Sequence, residues 1–264
     1  MVSIKNTTKN KLNMGNTKTG IEWTDQSWNP INGCDKVSPG CANCYAEVIT
    51  KRFTDTFTNG FSLTMIEDRL KNPSGKSIKT FGKGIKKIFV NSMGDVFHEK
   101  VNLDFIKKIF TVIEKNPQHI FQILTKRHER LVELAPSLNW HKNIWMGVSV
   151  ETQKYVERIE CLKQVPATVK FLSCEPLLGP LDMNLTGIDW VIVGGESGFN
   201  HRLMQSEWVE DIHEQCISYD VPFFFKQWGG RTPKKYGRTF KGKYRDEMPR
   251  AWYTHLKQYK HLIK

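Results

Sequence analysis

Apolar residues along this chain recur in two periods. Short runs rich in β-branched and aromatic residues predict strands at Ile85 to Asn91, His119 to Thr125, Trp145 to Val150, Val169 to Cys174, Asp189 to Val193 and Pro222 to Lys226. Between them the spacing turns helical. Val101, Leu103, Phe105, Ile106, Ile109, Phe110 and Ile113 mark one face of a helix, and further helices are predicted over 126–135, 152–164 and 206–219. Ser206 reads as the N-cap of the last, with Val209, Ile212, Cys216 and Ile217 turned inward.

An earlier strand at Trp28 to Asn32 brings the count to about seven βα units. Strands this continuously apolar need cover on both faces, so the predicted fold class is α/β, a partial or full parallel βα barrel. A doubly wound open sheet is the alternative, because periodicity does not report whether a sheet closes. Residues 50–84, with Asn72-Pro73-Ser74-Gly75 and Phe81-Gly82-Lys83-Gly84, read as a long insertion, part helix and part loop.

Charge divides the chain. Its 264 residues carry a net +12, of which residues 1–20 supply +4 and residues 226–264 supply +10, leaving −2 for the body. The expected organisation is a flexible basic N-terminus at 1–19, a barrel domain at 20–230 and a basic, aromatic C-terminal extension at 231–264. In that last region Trp228, Arg231, Lys234, Lys235, Tyr236, Arg238, Phe240, Lys241, Lys243, Tyr244, Arg245 and Trp252 interleave cations with rings. Such a mixture suits phosphates and bases, so nucleic acid, DNA or RNA, is the expected partner; a basic surface extension packed on the barrel is the plainer reading. No stretch approaches the roughly 18–20 consecutive apolar residues of a membrane span, and the start lacks the apolar centre of a secretory signal, so the expected location is cytoplasmic, with no membrane partner.

In a reducing compartment, clustered cysteines are read as metal ligands or reactive thiols. Cys34, Cys41 and Cys44 (C-x6-C-x2-C) share one short loop whose Pro39 and Gly40 allow the chain to fold back. Three thiolates are one ligand short of a closed zinc or electron-transfer cluster site. Either His98 or another cysteine completes a zinc site, or the fourth position is open to a substrate or cofactor. Cys161 and Cys216 fall on apolar helix faces and read as core. In a βα barrel, side chains past the strand C-termini converge on the active face. Those positions here hold Asn91, Ser92 and Asp95, then Lys126 and Arg127, Ser149 and Glu151, Cys174 and Glu175, Glu196, and Lys226 with Gln227.

These residues resemble a family. Ile21-Glu22-Trp23-Thr24-Asp25, Trp28-Asn29-Pro30, Gly33-Cys34, Ser38-Pro39-Gly40-Cys41 and Cys44-Tyr45-Ala46 look like the three-cysteine signature of the phage Gp37/Gp68-like proteins. Val90-Asn91-Ser92-Met93, Leu124-Thr125-Lys126-Arg127, Gly147-Val148-Ser149-Val150-Glu151, Glu175-Pro176-Leu177, Gly194-Gly195-Glu196-Ser197-Gly198 and Phe224-Phe225-Lys226-Gln227-Trp228-Gly229 extend the match over about residues 20–230. That family is similar to radical S-adenosylmethionine (SAM) enzymes.

The resemblance implies a [4Fe–4S] cluster on Cys34, Cys41 and Cys44, with SAM on the fourth iron. It implies reductive cleavage of SAM, fed by an electron donor, to a 5′-deoxyadenosyl radical that abstracts hydrogen. With the basic, aromatic C-terminal segment beside that chemistry, repair or modification of a nucleic acid is the expected reaction. By position, Ser92 and Asp95 are assigned to the methionyl amino group, Ser149 and Glu151 to the ribose and carboxylate, and Lys126 and Arg127 to a carboxylate or phosphate. Glu196 is expected to line the cavity, and Cys174, Glu175 and Lys226 are the catalytic candidates. The same chemistry on a peptide or small molecule, and a zinc-stabilised nucleic-acid-binding protein without catalysis, are the competing readings.

Overall fold

Seven strands run parallel in one curved sheet whose spatial order follows chain order, with an eighth strand antiparallel at one edge. The computed structural model describes residues 16–18, 20–71, 81, 83–232 and 235–262. In order across the sheet the strands are β1 (Asn16–Lys18), β2 (Gln26–Trp28), β5 (Lys87–Val90), β6 (Ile120–Thr125), β7 (Ile144–Ser149), β8 (Val169–Cys174), β9 (Trp190–Gly194) and β10 (Phe223–Gln227). The order never reverses, so there is no crevice of the doubly wound kind, and the edge strands β1 and β10 do not pair with each other. The fold is a partial parallel βα barrel.

The expected first strand is split. Pro30, which has no N–H to give a ladder, separates β2 in the main sheet from β3 (Ile31–Asn32), which pairs antiparallel with β4 (Thr64–Met65) in the insertion. The rest of the insertion comprises the end of α1 (Tyr45–Arg52) and α2 (Asp68–Lys71). Asn72 to Gly75 and Gly82 lie outside the described residues, as does the expected N-terminal tail apart from β1.

Helices α3 (Leu103–Glu114), α4 (His128–Leu134), α5 (Glu157–Lys163) and α6 (Ser206–Ser218) follow the predicted periods. Asn102 caps α3 by accepting from Phe105 N at 2.8 Å. Gln205, not Ser206, occupies the N-cap of α6, and Ile217 is exposed, one residue past the inward stripe of Val209, Ile212 and Cys216. Cys161 is half-buried rather than core.

Strand alternation sorts two cores. Leu172, Cys174, Val191, Val193, Phe223 and Phe225 face outward into the layer shared with the helices. Trp23, Phe89, Trp145, Phe171, Trp190 and Phe224 face inward and fill the base of the barrel. Each such side chain contributes about 1.5–3 kcal/mol on burial. Phe171 crosses its neighbour strand because Gly147 has no side chain: a Cβ there would lie 2.5 Å from the Phe171 ring.

The C-terminal extension finishes this architecture. It covers the β10 edge, where exposed strands otherwise present unpaired backbone groups. Phe225 N donates to Arg245 O at 2.8 Å, and Phe224 bridges Asp246 antiparallel. A ribbon of β11 (Thr239–Phe240) and β12 (Lys243–Tyr244) precedes α7 (Arg250–Gln258), and Met248 just before that helix packs with its Ala251 and Trp252 under the inner aromatic cluster. Trp190 Nε1 donates to Glu247 O at 2.8 Å, closing the base. Several rings expected at a nucleic-acid surface are therefore packing groups: Phe240 is buried, Trp228 packs on the outer core, and Trp252 sits at the end opposite the strand C-termini. Arg238 pairs with Asp246. No helix among the described residues is long and apolar enough to cross a membrane.

Candidate functional site

A cavity of about 750 Å³ opens above the inner aromatic cluster at the C-terminal ends of the strands. That volume falls within the roughly 300–1,000 Å³ of small-molecule sites. Its wall holds Cys34, Cys41 and Cys44 with Ser92, Asp95, Lys126, Ser149, Glu175, Glu196 and Lys226. The strand-end rule thus brings nearly every expected site residue to one place.

The cysteine loop begins where only glycine fits. Gly33 has φ +84°, and a Cβ there would stand 2.3 Å from Ser62 O. Pro39–Cys41 forms one 3-10 turn, and Cys44 is the N-cap of α1. Gly40 lies flat on the strand ends, since a Cβ would come within 2.5 Å of Glu151 Oε1.

Each part of the loop is fastened by a different strand end. Arg127, past β6, donates from Nη1 to Cys34 Sγ at 3.4 Å and from Nη2 to Asp35 O at 3.2 Å. Ser38 Oγ donates to Glu151 Oε1 at 2.5 Å, and Lys126 pairs with the same carboxylate. Asn43 Nδ2 donates to Glu196 Oε2 at 3.0 Å and to Asn200 O at 2.9 Å. Arg202 holds Glu196 through N and Nε at 2.8 and 2.9 Å and reaches Pro39 O at 3.0 Å.

This geometry reassigns several expected contacts. Asp95 is saturated by Thr125 Oγ1 at 2.7 Å, Phe97 N at 2.9 Å, Lys126 N at 3.2 Å and Arg127 Nη1 at 3.1 Å, which leaves it no lone pair for an amino group. Glu151 is fully buried behind the wall, where Arg158 Nη1 donates to its second oxygen at 2.9 Å. Arg158 was not legible as a site residue in the sequence. A buried arginine on a helix facing a strand-end acid is the signal that would have found it. Cys174 does not reach the cavity: it points outward, and burial holds its thiol well above the ordinary value, with Cys216 and Glu175 adding to the shift.

The groups left facing the cavity are different ones. Ser173, next to Ser149 in strand register, has a buried Oγ with no hydrogen-bond partner among the described residues, as do Glu175 Oε1 and Asn91 Nδ2. Glu175 reaches across β9 to Lys226 Nζ at 2.8 Å, passing over Gly194, where a Cβ would sit 3.2 Å from its carboxylate. Ser92 Oγ donates to Asn29 Oδ1 at 3.0 Å.

The thiols lie in a cationic setting. Burial opposes ionisation of Cys41, but the Lys126 ammonium and hydrogen bonds from Val37 and Ser38 outweigh it and hold the thiol below its usual range. Burial pushes Cys34 up to about 12, with Asp95 adding and Arg127 opposing. Among the described residues, no group of three or more His, Cys, Asp or Glu is arranged around a single-ion position. His98, the candidate fourth zinc ligand, is engaged at both ring nitrogens: Nδ1 accepts from Lys100 N at 3.2 Å and Nε2 meets Asp35 Oδ2 at 3.1 Å. The donor chemistry fits an iron–sulfur cluster, with three cysteines, two neighbouring cations and polar atoms without a partner among the described residues all lining one cavity.

Together these features define a partial βα barrel with a three-thiol cavity over its strand ends. The chain belongs to the family described as protein of unknown function (DUF5131), which matches residues 18–249. That description carries no phage Gp37/Gp68 designation. No curated protein matches the chain. Among solved structures, spore photoproduct lyase complexed with dinucleoside spore photoproduct is 11% identical, covers 94% of this chain and 78% of its own, and has a TM-score of 0.46. A double variant of that lyase with bound AdoMet and the dinucleoside gives the same values, and a single variant with the dinucleoside gives 12%, 93%, 77% and 0.48.

Proposed function

We propose that this chain is a radical SAM-like enzyme that holds a [4Fe–4S] cluster on Cys34, Cys41 and Cys44 and acts on a nucleic acid, in repair or modification. The observation that carries the reading is the convergence of the three thiols on one cavity, each part of their loop fastened from a different strand end. Bound there, cluster and SAM would supply one-electron cleavage of SAM and hydrogen abstraction from the substrate.

The protein's own groups then divide into two sets. Asp95, Lys126, Arg127, Glu151 and Glu196 position the loop and its thiols, with Arg158 and Arg202 behind them. Asn91, Ser92, Ser149, Ser173 and Glu175 offer polar atoms to SAM. Lys226, held by Glu175, places a cation where an anionic part of cofactor or substrate would lie. The aromatic floor from Trp23 to Phe224 excludes water beneath the reacting groups.

Anaerobic reconstitution followed by iron analysis and a SAM-cleavage assay tests this reading. A brown protein with about four irons per chain that releases 5′-deoxyadenosine under reduction supports it. A colourless protein, or a Cys41→Ala variant with unchanged iron content and cleavage, overturns it.

A further inference from the structure

Trp228, Phe240 and Trp252 of the C-terminal extension are consumed in packing, yet a patch of exposed rings beside the cavity is not. Past β9, the chain Ser197 to Ser206 bridges to the chain past β10 through Ser197 and Gly230. These two segments raise the cavity wall and end in a rim. Phe199 is 78% exposed, and the Arg231 guanidinium lies 5.3 Å from its ring centroid. Tyr236, also exposed, has its ring 6.4 Å from His201 and 5.2 Å from Lys235 Nζ. Among the described residues nothing buries either ring.

Charge selects the occupant. Neither 197–206 nor 228–238 contains an aspartate or glutamate, and Arg231 and Lys235 supply cations there, while Arg202 is spent on Glu196. The rim is also tied to the thiol loop: Asn43 donates to the carbonyl of Asn200, the residue next to Phe199. An acid-free edge carrying exposed rings and guanidinium groups recognises a chain that alternates phosphates with aromatic faces. Rings this exposed can stack only on bases that are already unpaired, and a duplex hides those faces.

We infer that the Phe199–Arg231 and Tyr236–His201 rim is a base-stacking platform for single-stranded or locally unpaired nucleic acid, leading one nucleotide toward the cavity. The inference rests on the nucleic-acid half of the proposed function and not on its cluster chemistry. The far end of the barrel, closed by α7, takes no part.

Fluorescence anisotropy on the full chain, with a mixed-sequence single-stranded 20-mer as DNA and as RNA and with its duplex, tests the platform. Tighter binding of either single strand than of the duplex is expected. Phe199→Ala should weaken it about five- to hundredfold, the range for loss of one stacked base. Arg231→Gln should reduce the slope of log affinity on log salt by about 0.7. Lys257→Gln on α7 should change neither quantity. Unchanged thermal midpoints separate these effects from misfolding.

Undetectable single-strand binding at low salt, wild-type affinity in Phe199→Ala, or displacement by polyglutamate as effective per charge as by oligonucleotide would each overturn the inference. SAM cleavage measured in the same preparations, without nucleic acid, reports separately on the cluster. A Phe199→Ala protein that cleaves SAM normally but has lost the oligonucleotide supports the rim as a substrate surface.

Discussion

Glu151, with no solvent exposure, accepts a 2.5 Å hydrogen bond from Ser38, a residue 113 positions earlier in the chain. This contact fixes the middle of the cysteine loop to the end of β7, and Lys126 and Arg158 share the charge. Loop geometry is therefore set by the barrel as well as by the loop's own Gly33, Pro39 and Gly40.

Removing that charge should be costly. Glu151→Gln keeps the side chain's shape but leaves two largely buried cations without their counterion, a loss of about 3–5 kcal/mol for networks of this kind. Denaturant unfolding of the metal-free protein measures it, and a change below about 1 kcal/mol, the range of an exposed pair, would show that the network is not held together by this carboxylate.

Acid should destabilise the fold before its carboxylates titrate. Burial, with Lys86 and His255 adding repulsion, lowers His119 to about 4. An unfolded histidine takes its proton near 6.5. Between those values the unfolded chain binds more protons, so stability falls as pH drops from about 6.5 toward 4 and is indifferent to this group above that window. At about 1.4 kcal/mol per unit, the effect is on the order of 3 kcal/mol. His119→Leu should flatten the unfolding free energy between about pH 7 and pH 4.5 by about 2 kcal/mol relative to wild type; parallel curves would contradict it.

Gly147 is predicted to be intolerant of the smallest side chain. Its missing Cβ is the space that the Phe171 ring occupies at 2.5 Å. Gly147→Ala should therefore cost about 1–3 kcal/mol by overpacking. Gly179, which has nothing within 4 Å of a Cβ, provides the control. Equal midpoints for the two alanine variants would mean that Phe171 moves aside freely.

The two cysteine classes should separate cleanly. Cys174→Ala is expected to leave iron content and SAM cleavage unchanged while lowering thermal stability, because its thiol packs in the outer core. On the proposed cluster reading, Cys34→Ala and Cys44→Ala should abolish both iron binding and SAM cleavage. Loss of iron in Cys174→Ala without loss of fold would place Cys174 among the ligands.

Local chemistry was legible where it depended on period. The sequence pattern places six of the seven parallel strands within two residues of their ends, missing β2, where Pro30 breaks the run, and the strand-end rule gathers most of the cavity's wall. The rule did not reveal which way each group would turn. Ser173 and Cys174 are neighbours in sequence, and only the phase of β8 decides that the serine faces the cavity and the thiol does not.

Nor could spacing show that Asp95 would be saturated by Thr125 and Arg127, or that Glu151 would bind Ser38, since those pairs form across separate strand ends. The extension misled for a related reason. Its rings are as compatible with packing on the barrel as with stacking on bases, and Trp228, Phe240 and Trp252 pack. Phe199 and Arg202 carried no motif of their own. Their position depends on a glycine-lined wall, where Gly195 and Gly229 let two chains run in backbone contact.

The position of α7 bears on how the molecule is made. The innermost cluster joins Trp23 to Trp252, so its floor draws on nearly the whole described chain. Contacts of such long range form late. On the ribosome, the sheet would emerge with its concave base open to water until Met248, Ala251 and Trp252 clear the exit tunnel and dock. Chains arrested before Met248 should stay protease-sensitive at β7 to β9, and chains extended well past Trp252 should not. Synthesis through α7 would then time the moment at which the thiol cavity becomes a rigid receptacle.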